Sequence, residues 1–415
     1  MESDAILLSM YDGRPGGRQR AEADLVELEA LVRAAGAGIV GTVLQAREAG
    51  EGFGSGKTEE VAELARSTGA GMVITAWELR PSEARALQQR LDLPVYDRTQ
   101  VILDIFALRA HTREGRLQVE MAQLSYLLPR LVGRGQALSR TGGGIGTRGP
   151  GETRLETDRR RIRARLSRLG RELEDLGRER AARRQRRSRG LVPVIALVGY
   201  TNVGKSTLFQ ALTGHATPIR DQVFVTLDPS VRRIFVPGFG LALLVDTVGF
   251  VSRLPHHLVE AFRSTLDEVR DADLLLHVVD AASPRRQLEQ AAVEGELQRL
   301  GVGSTPSLLV ENQWDRVAPE QVPEGLPVSA RTEWNLDALM AAVAVQLGRT
   351  RPLQQVLLPW GEQETLNWIR AEGDVVSLIP RADGAGLALT FRAPSSVVAR
   401  VERRLAALGQ TSVGP

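Results

Sequence analysis

Residues 199–206 read Gly199-Tyr200-Thr201-Asn202-Val203-Gly204-Lys205-Ser206. This octapeptide satisfies G-x-x-x-x-G-K-[ST], the loop whose backbone N–H groups cradle phosphate oxygens. In that reading Lys205 neutralises the β- and γ-oxygens, the Ser206 hydroxyl ligates Mg²⁺, and Thr207 completes the run of nucleotide-binding residues. The flanks agree with it. Val192–Val198 is a continuous apolar run of the kind a buried strand uses, and Ser206–Leu212 opens a helix whose N-terminus faces the anion. Lysine usage sharpens the signal. Among 53 Lys+Arg, only Lys57 and Lys205 are lysines, so an arginine-rich chain keeps a compact ammonium where a planar guanidinium does not fill the same role. The alternative is an ordinary glycine-rich turn between strand and helix.

Downstream elements follow in the order a GTPase needs. Asp246-Thr247-Val248-Gly249 closes an apolar strand; its aspartate is placed to hold Mg²⁺ through water, and the Gly249 N–H to meet the γ-phosphate. Between loop and aspartate lies Phe224-Val225-Thr226-Leu227-Asp228, whose Thr226 offers a second hydroxyl to the metal. Asn312-Gln313-Trp314-Asp315 resembles N-K-x-D, in which the carboxylate accepts both N1–H and N2–H₂ of guanine, a match adenine lacks. Ser329-Ala330 is placed to present a backbone N–H to guanine O6. Lys205, Thr226 and Gly249 are thus the candidate catalytic residues, and Ser206, Thr226 and Asp246 the candidate metal set.

Two departures carry consequences. Gln313 stands where the motif has the lysine that packs on the base and braces the phosphate loop, so weaker affinity or some tolerance of ATP is expected, with guanine still preferred through Asp315. Phe250 follows Gly249 where many GTPases have a water-orienting glutamine. Phenylalanine cannot polarise water, so intrinsic hydrolysis is expected to be slow and to depend on a partner. A decoy for the phosphate loop, Gly52–Thr58 (GFGSGKT), leaves only three residues between Gly52 and Gly56 and is read as a loop.

The chain as a whole sets limits. Its 415 residues suffice for about three domains. Hydrophobic content is 43%, no apolar run approaches the roughly 18 residues of a membrane span, and the acidic N-terminus (Glu2, Asp4) is unlike a signal peptide. A cytoplasmic protein is expected. With no cysteine, disulfides and thiolate metal sites are excluded. Net charge is only +3, yet residues 159–189 hold 14 arginines against four acids. The remainder is therefore acidic, and the basic block reads as a polyanion-binding arm.

The expected fold class is α/β and multidomain. Residues 1–110 alternate strands (Ala5–Ser9, Ile39–Leu44, Met72–Ala76) with helices (Ala21–Ala35, Thr58–Ser67, Ser82–Leu91), as a small parallel-sheet subdomain does. Residues 111–190 contain two leucine seams, Leu117/Met121/Leu124/Leu128/Leu131 and Ile162/Leu166/Leu169/Leu173/Leu176, each spaced 4, 3, 4, 3. Such seams bury a narrow stripe against a partner helix. An antiparallel helical hairpin with the glycine-rich Thr141–Gly151 at its tip is expected, two helices of a compact bundle being the alternative. Arg183–Gly190 links this arm to a doubly wound G domain, 191–350, and 351–415 forms a small C-terminal α/β domain.

With these residues in view, the chain resembles the HflX family of ribosome-associated GTPases. The likeness rests on Asp97–Arg116, Gln118–Arg130, Gly142–Arg161, Gly199–Ser206, Phe224–Asp228 and Asp246–Phe250, and covers about residues 5–350. The resemblance implies GTP and GDP as ligands, Mg²⁺ as cofactor, and the large ribosomal subunit as partner. It implies a glycine-rich tip reaching toward the peptidyl-transferase region, splitting or rescue of stalled or idle ribosomes in the GTP state, often under stress, and stimulation of hydrolysis by the ribosome. Gly142, Gly143, Gly144, Arg148, Arg154, Arg159, Arg160 and Arg163 become candidate rRNA contacts, and a monomer off the ribosome is expected. The competing readings are a large-subunit assembly GTPase and an RNA-binding module that uses nucleotide only structurally.

Overall fold

The structure, a computed structural model, describes residues 4–47, 53–131, 150–188, 192–214, 224, 229–251, 268–318, 320–381 and 384–407, side chains within 150–188 being described for 156–179. These fall into two compact units, the first made of the described residues up to 174 with Phe224, the second of the rest.

In the first unit β1 (Ala5–Asp12), β2 (Ile39–Arg47), β3 (Met72–Thr75) and β4 (Val95–Asp97) form a parallel sheet in the order β2-β1-β3-β4. Helices α1 (Gly17–Ala34), α2 (Ser55–Thr68) and α3 (Pro81–Leu91) make the crossovers. Ala5, Ile6, Leu7 and Leu8 are all fully buried, because a central parallel strand is covered on both faces. Strand β4 and helix α4 (Arg98–Arg109) add to the three strands expected. Asp97 joins them. Its Oδ1 caps α4 by accepting the Gln100 N–H (3.1 Å), and its Oδ2 accepts from Leu79 N (3.1 Å) and Arg130 Nη2 (2.9 Å).

Helix α5 (Arg113–Arg130) and helix α6 (Pro150–Ser188) form the expected antiparallel pair. Arg165 grips Glu120 with two 2.7 Å bonds, and Arg113 lies 3.5 Å from Glu172. Advancing along one helix therefore means retreating along the other. Leu169 of the second seam is fully buried. The stretch expected to be a link continues as helix through Ser188, since alanine, arginine and glutamine are all good helix formers. The tip stretch 141–149 lies outside the described residues, and the helix begins at Pro150.

The second unit is built on a six-stranded sheet of order β10-β9-β8-β5-β7-β6: β5 (Val194–Gly199), β6 (Ser230–Val236), β7 (Gly240–Asp246), β8 (Leu274–Asp280), β9 (Ser307–Asn312) and β10 (Leu326–Pro327). All neighbours are parallel except β6 and β7. Helices α7 (Lys205–Thr213), α8 (Arg286–Arg299) and α9 (Leu336–Thr350) belong to it. The register brings the carboxyl ends level: Leu197 pairs with Asp246, Gly199 with Val278, and Asp280 with Asn312. Ligands of open α/β sheets bind at such an edge.

After β11 (Leu353–Leu358) come α10 (Gln363–Glu372), β12 (Asp374–Pro380), β13 (Leu387–Arg392) and α11 (Ser395–Ala407). The strands form an antiparallel sheet with β13 central. Val356, Leu389 and Phe391 pack with Leu366, Ile369 and Val401 in its core. The small α/β domain expected over 351–415 is thus three strands and two helices. Among the described residues no helix is long and apolar enough to cross a membrane.

Candidate nucleotide site

The chain leaves β5 at Gly199 and turns through 200–204 into α7. At Gly204 φ is 86°, a left-handed value, and a Cβ would sit 2.4 Å from Asn312 Nδ2. Only glycine meets both conditions. Lys205 is buried, and its Nζ donates to the carbonyl oxygens of Gly199 (3.1 Å) and Tyr200 (2.6 Å). Burial lowers its pKa to about 8, while the Asp246 carboxylate pulls it upward.

Ser206, in the first turn of α7, donates its Oγ–H to Asp246 Oδ2 at 2.8 Å. Asp246 is buried at the end of β7, and Thr247 Oγ1 donates to the Leu197 carbonyl (2.6 Å). The next residues are strapped to the loop. Phe250 N donates to Gly199 O (3.0 Å), Thr201 N donates to Phe250 O (2.7 Å), and the Phe250 ring is buried. A Cβ on Gly249 would lie 2.9 Å from Lys205 Nζ and from Thr201 Cα, so this position admits no side chain without displacing the ammonium. Val248 is half-buried.

Asn312 ends β9 and ties the base-side loops to the phosphate loop. Its Nδ2 donates to Val203 O (2.9 Å), and its Oδ1 accepts the Ala330 N–H (2.9 Å). The Ala330 N–H, expected to face a base oxygen, thus serves Asn312. Asp315 is exposed on a 3₁₀ turn, Trp314–Arg316, with Oδ1 accepting the Ser329 hydroxyl at 2.7 Å. Trp314 N is held by Val328 O (3.1 Å). Gln313 Nε2 donates to Asn202 O (3.3 Å), so the glutamine contacts the same loop the motif's lysine braces.

The phosphate loop, Asp246–Gly249, Asn312–Asp315 and Ser329–Ala330 therefore converge at one end of one sheet. Phe224 belongs to the first unit, where it is buried with φ 56° and packs edge-on to Phe106 of α4, ring centroids 4.7 Å apart. Val225, Thr226, Leu227 and Asp228 lie outside the described residues, as do Gly142, Gly143, Gly144, Arg148 and the Arg154 side chain. On α6, Arg160 and Arg163 are exposed and Arg159 is half-buried. Arg161, Arg168, Arg171 and Arg178 are exposed with them. Lys57 of the decoy sequence pairs with Glu60 one turn along α2 (2.6 Å), and Gly52 is outside the described residues. Arg316 and Asp280, which also border the loop's contacts, belong to no motif of the sequence. The missing cation at 313 is the one sequence signal that points to them.

The sheet order, the buried loop lysine and the Ser206–Asp246 pair define a phosphate-loop GTPase. Three family profiles match successive parts of the chain: "GTP-binding GTPase N-terminal" over residues 22–107, "GTP-binding GTPase Middle Region" over 109–187, and "50S ribosome-binding GTPase" over 194–313. The GTPase HflX of Caldanaerobacter subterraneus subsp. tengcongensis is 44% identical over 362 residues, covering 86% of this chain and 84% of that protein. The Escherichia coli GTPase HflX is 44% identical over 336 residues, covering 78% and 79%. Among solved structures, a GTP-binding protein from Sulfolobus solfataricus in complex with GDP is 23% identical, with a TM-score of 0.43 over 83% of this chain and 99% of that one. The chain belongs to the HflX family. It is a GTP-binding enzyme that hydrolyses GTP.

Proposed function

We propose that this GTPase binds Mg²⁺–GTP at the phosphate loop, engages the large ribosomal subunit in that state, and splits stalled or idle ribosomes, hydrolysis then releasing it. The observation that carries the nucleotide half is the bonded constellation of Lys205, Ser206, Asp246 and Asn312 at one sheet edge. Lys205 binds the β- and γ-phosphates, and the Gly249 N–H with Thr226 senses the γ-phosphate. Ser206 and Asp246 supply hard oxygen donors 2.8 Å apart, a donor chemistry suited to Mg²⁺. Ser206, Thr226 and, through water, Asp246 would hold the cation, which would supply neutralising charge at the β- and γ-phosphates. Asp315 reads guanine, positioned by Ser329.

The ribosomal half rests on the match to the 50S ribosome-binding GTPase profile and on the exposed arginines of α6. Arginine forks suit rRNA phosphates, and each contact releases counterions. Gly142, Gly143, Gly144 and Arg148 are included in this reading as rRNA contacts. Buried Phe250 supplies no group to orient water, so the ribosome completes the hydrolytic site. Sucrose-gradient profiles test the reading. With a non-hydrolysable GTP analogue, 70S particles should separate into subunits, and GDP should leave them intact. Unchanged 70S in both would remove splitting and favour an assembly role.

A further inference from the structure

The N-K-x-D lysine is absent from this chain, and the structure supplies a cation next to the gap. Gln313 has a left-handed backbone (φ 62°) and donates Nε2 to the Asn202 carbonyl at 3.3 Å. Its Oε1 accepts from Arg316 Nη1. Arg316, at the end of the 3₁₀ turn, lies 3.8 Å from Asp280 Oδ2 at the carboxyl end of β8. Carboxylate, guanidinium, amide and carbonyl thus follow one another as a relay that ends on the phosphate loop.

Each link strengthens the next. A guanidinium on an amide oxygen draws charge from the amide, so its N–H becomes a better donor to the carbonyl beyond it. A neutral glutamine alone makes a weak brace. A glutamine polarised by Arg316 makes a stronger one. Asn202, the acceptor, is itself left-handed (φ 64°) and exposed, a loop position that gains most from being held.

We propose that Arg316 is a positioning residue for guanine nucleotide, acting through Gln313 to hold the phosphate loop at Asn202 and replacing, three residues along, the charge of the motif's lysine. The proposal rests on the nucleotide reading given above. Because the relay grips the loop's backbone and not the γ-phosphate, GDP and GTP depend on it alike.

Calorimetric titration of GDP into the full chain with Mg²⁺ tests it, using wild type, Arg316→Ala, Gln313→Lys and the double variant. Arg316→Ala should weaken binding about five-fold, the effect expected of removing a partly exposed charge-assisted hydrogen bond, with the nucleotide-free unfolding midpoint unchanged. In that background Gln313→Lys should bring affinity back to within about two-fold of wild type. With Arg316 retained, the same change should help little, because two cations then crowd one site. Arg316→Gln, which keeps bulk and loses charge, should behave as the alanine variant. Wild-type affinity in Arg316→Ala, or an equal effect of Gln313→Lys in both backgrounds, overturns the relay. If the wild-type chain itself does not bind GDP, the nucleotide reading falls and the relay falls with it.

Discussion

Ser206 Oγ and Asp246 Oδ2, 40 residues apart in sequence, are joined by a 2.8 Å hydrogen bond. One ends the phosphate loop and the other ends β7, whose parallel register with β5 sets Leu197 opposite Asp246 at that edge. A hydroxyl and a carboxylate brought so close are oxygen donors of the kind a hard cation takes.

Asp246→Asn should therefore separate folding from metal use. The amide can still accept the Ser206 hydroxyl, but the negative charge is lost. GTP affinity in Mg²⁺ should fall at least about ten-fold, and EDTA should make little further difference. An Mg²⁺ enhancement equal to wild type would remove Asp246 from the metal set.

Lys205 gives a pH signature. Its ammonium is depressed to about 8 by burial, and an arriving polyphosphate raises it again. Binding should take up a proton above pH 8, visible in calorimetry with buffers of different ionisation enthalpy, and affinity should decline there while staying flat below about pH 7. The nucleotide-free fold should gain stability between pH 8 and 10.5, where the unfolded lysine binds more protons than the folded one. Lys205→Ala should abolish nucleotide binding, and retained affinity would overturn the loop assignment.

Gly204→Ala tests the loop's steric logic. The new methyl would meet Asn312 Nδ2 at 2.4 Å in a left-handed backbone. Losing the Asn312–Val203 bond should cost about 1–3 kcal/mol of stability, together with most nucleotide affinity. A wild-type unfolding midpoint would contradict that geometry.

His277, in the middle of β8, is buried, and its Nε2 has no hydrogen-bond partner among the described residues. Burial lowers its pKa from 6.5 to about 4, opposed by Glu294 and assisted by Lys205. The unfolded chain binds the extra proton in that window, so His277 costs stability as pH falls from 6.5 toward 4. His277→Leu should lessen the acid loss, the gap between variant and wild type in denaturant midpoint widening as pH drops. A constant gap would contradict the assignment.

Replacing Arg160, Arg163, Arg168 and Arg171 with serine should weaken large-subunit binding and flatten its salt dependence, by roughly 0.7–0.9 in log–log slope for each phosphate no longer neutralised. Binding of unaltered strength and slope would make α6 a solvated face.

How much of the fold and the site is legible in the sequence depends on range. The phosphate loop, Asp246 and Asn312–Asp315 are local patterns, and all lie at one sheet edge. The leucine seams give the helix pairing, although α5 also buries Val119, Ala122 and Tyr126, because a helix with two neighbours hides two stripes. Strand β4 has no sequence signature because three residues carry no period, and its identity comes from pairing with β3. The arginine run 183–188 resembles a link because charge masks helix propensity. Arg316 is invisible because its meaning depends on Gln313, Asn202 and Asp280 meeting in space.

As proposed, the chain is a guanine-nucleotide engine that the ribosome completes. Turnover of GTP and ATP by the purified chain, with and without isolated large subunits, tests it most directly. GTP turnover should be slow alone and rise at least about ten-fold with subunits, ATP lagging well behind. GTP turnover indifferent to large subunits would contradict the account.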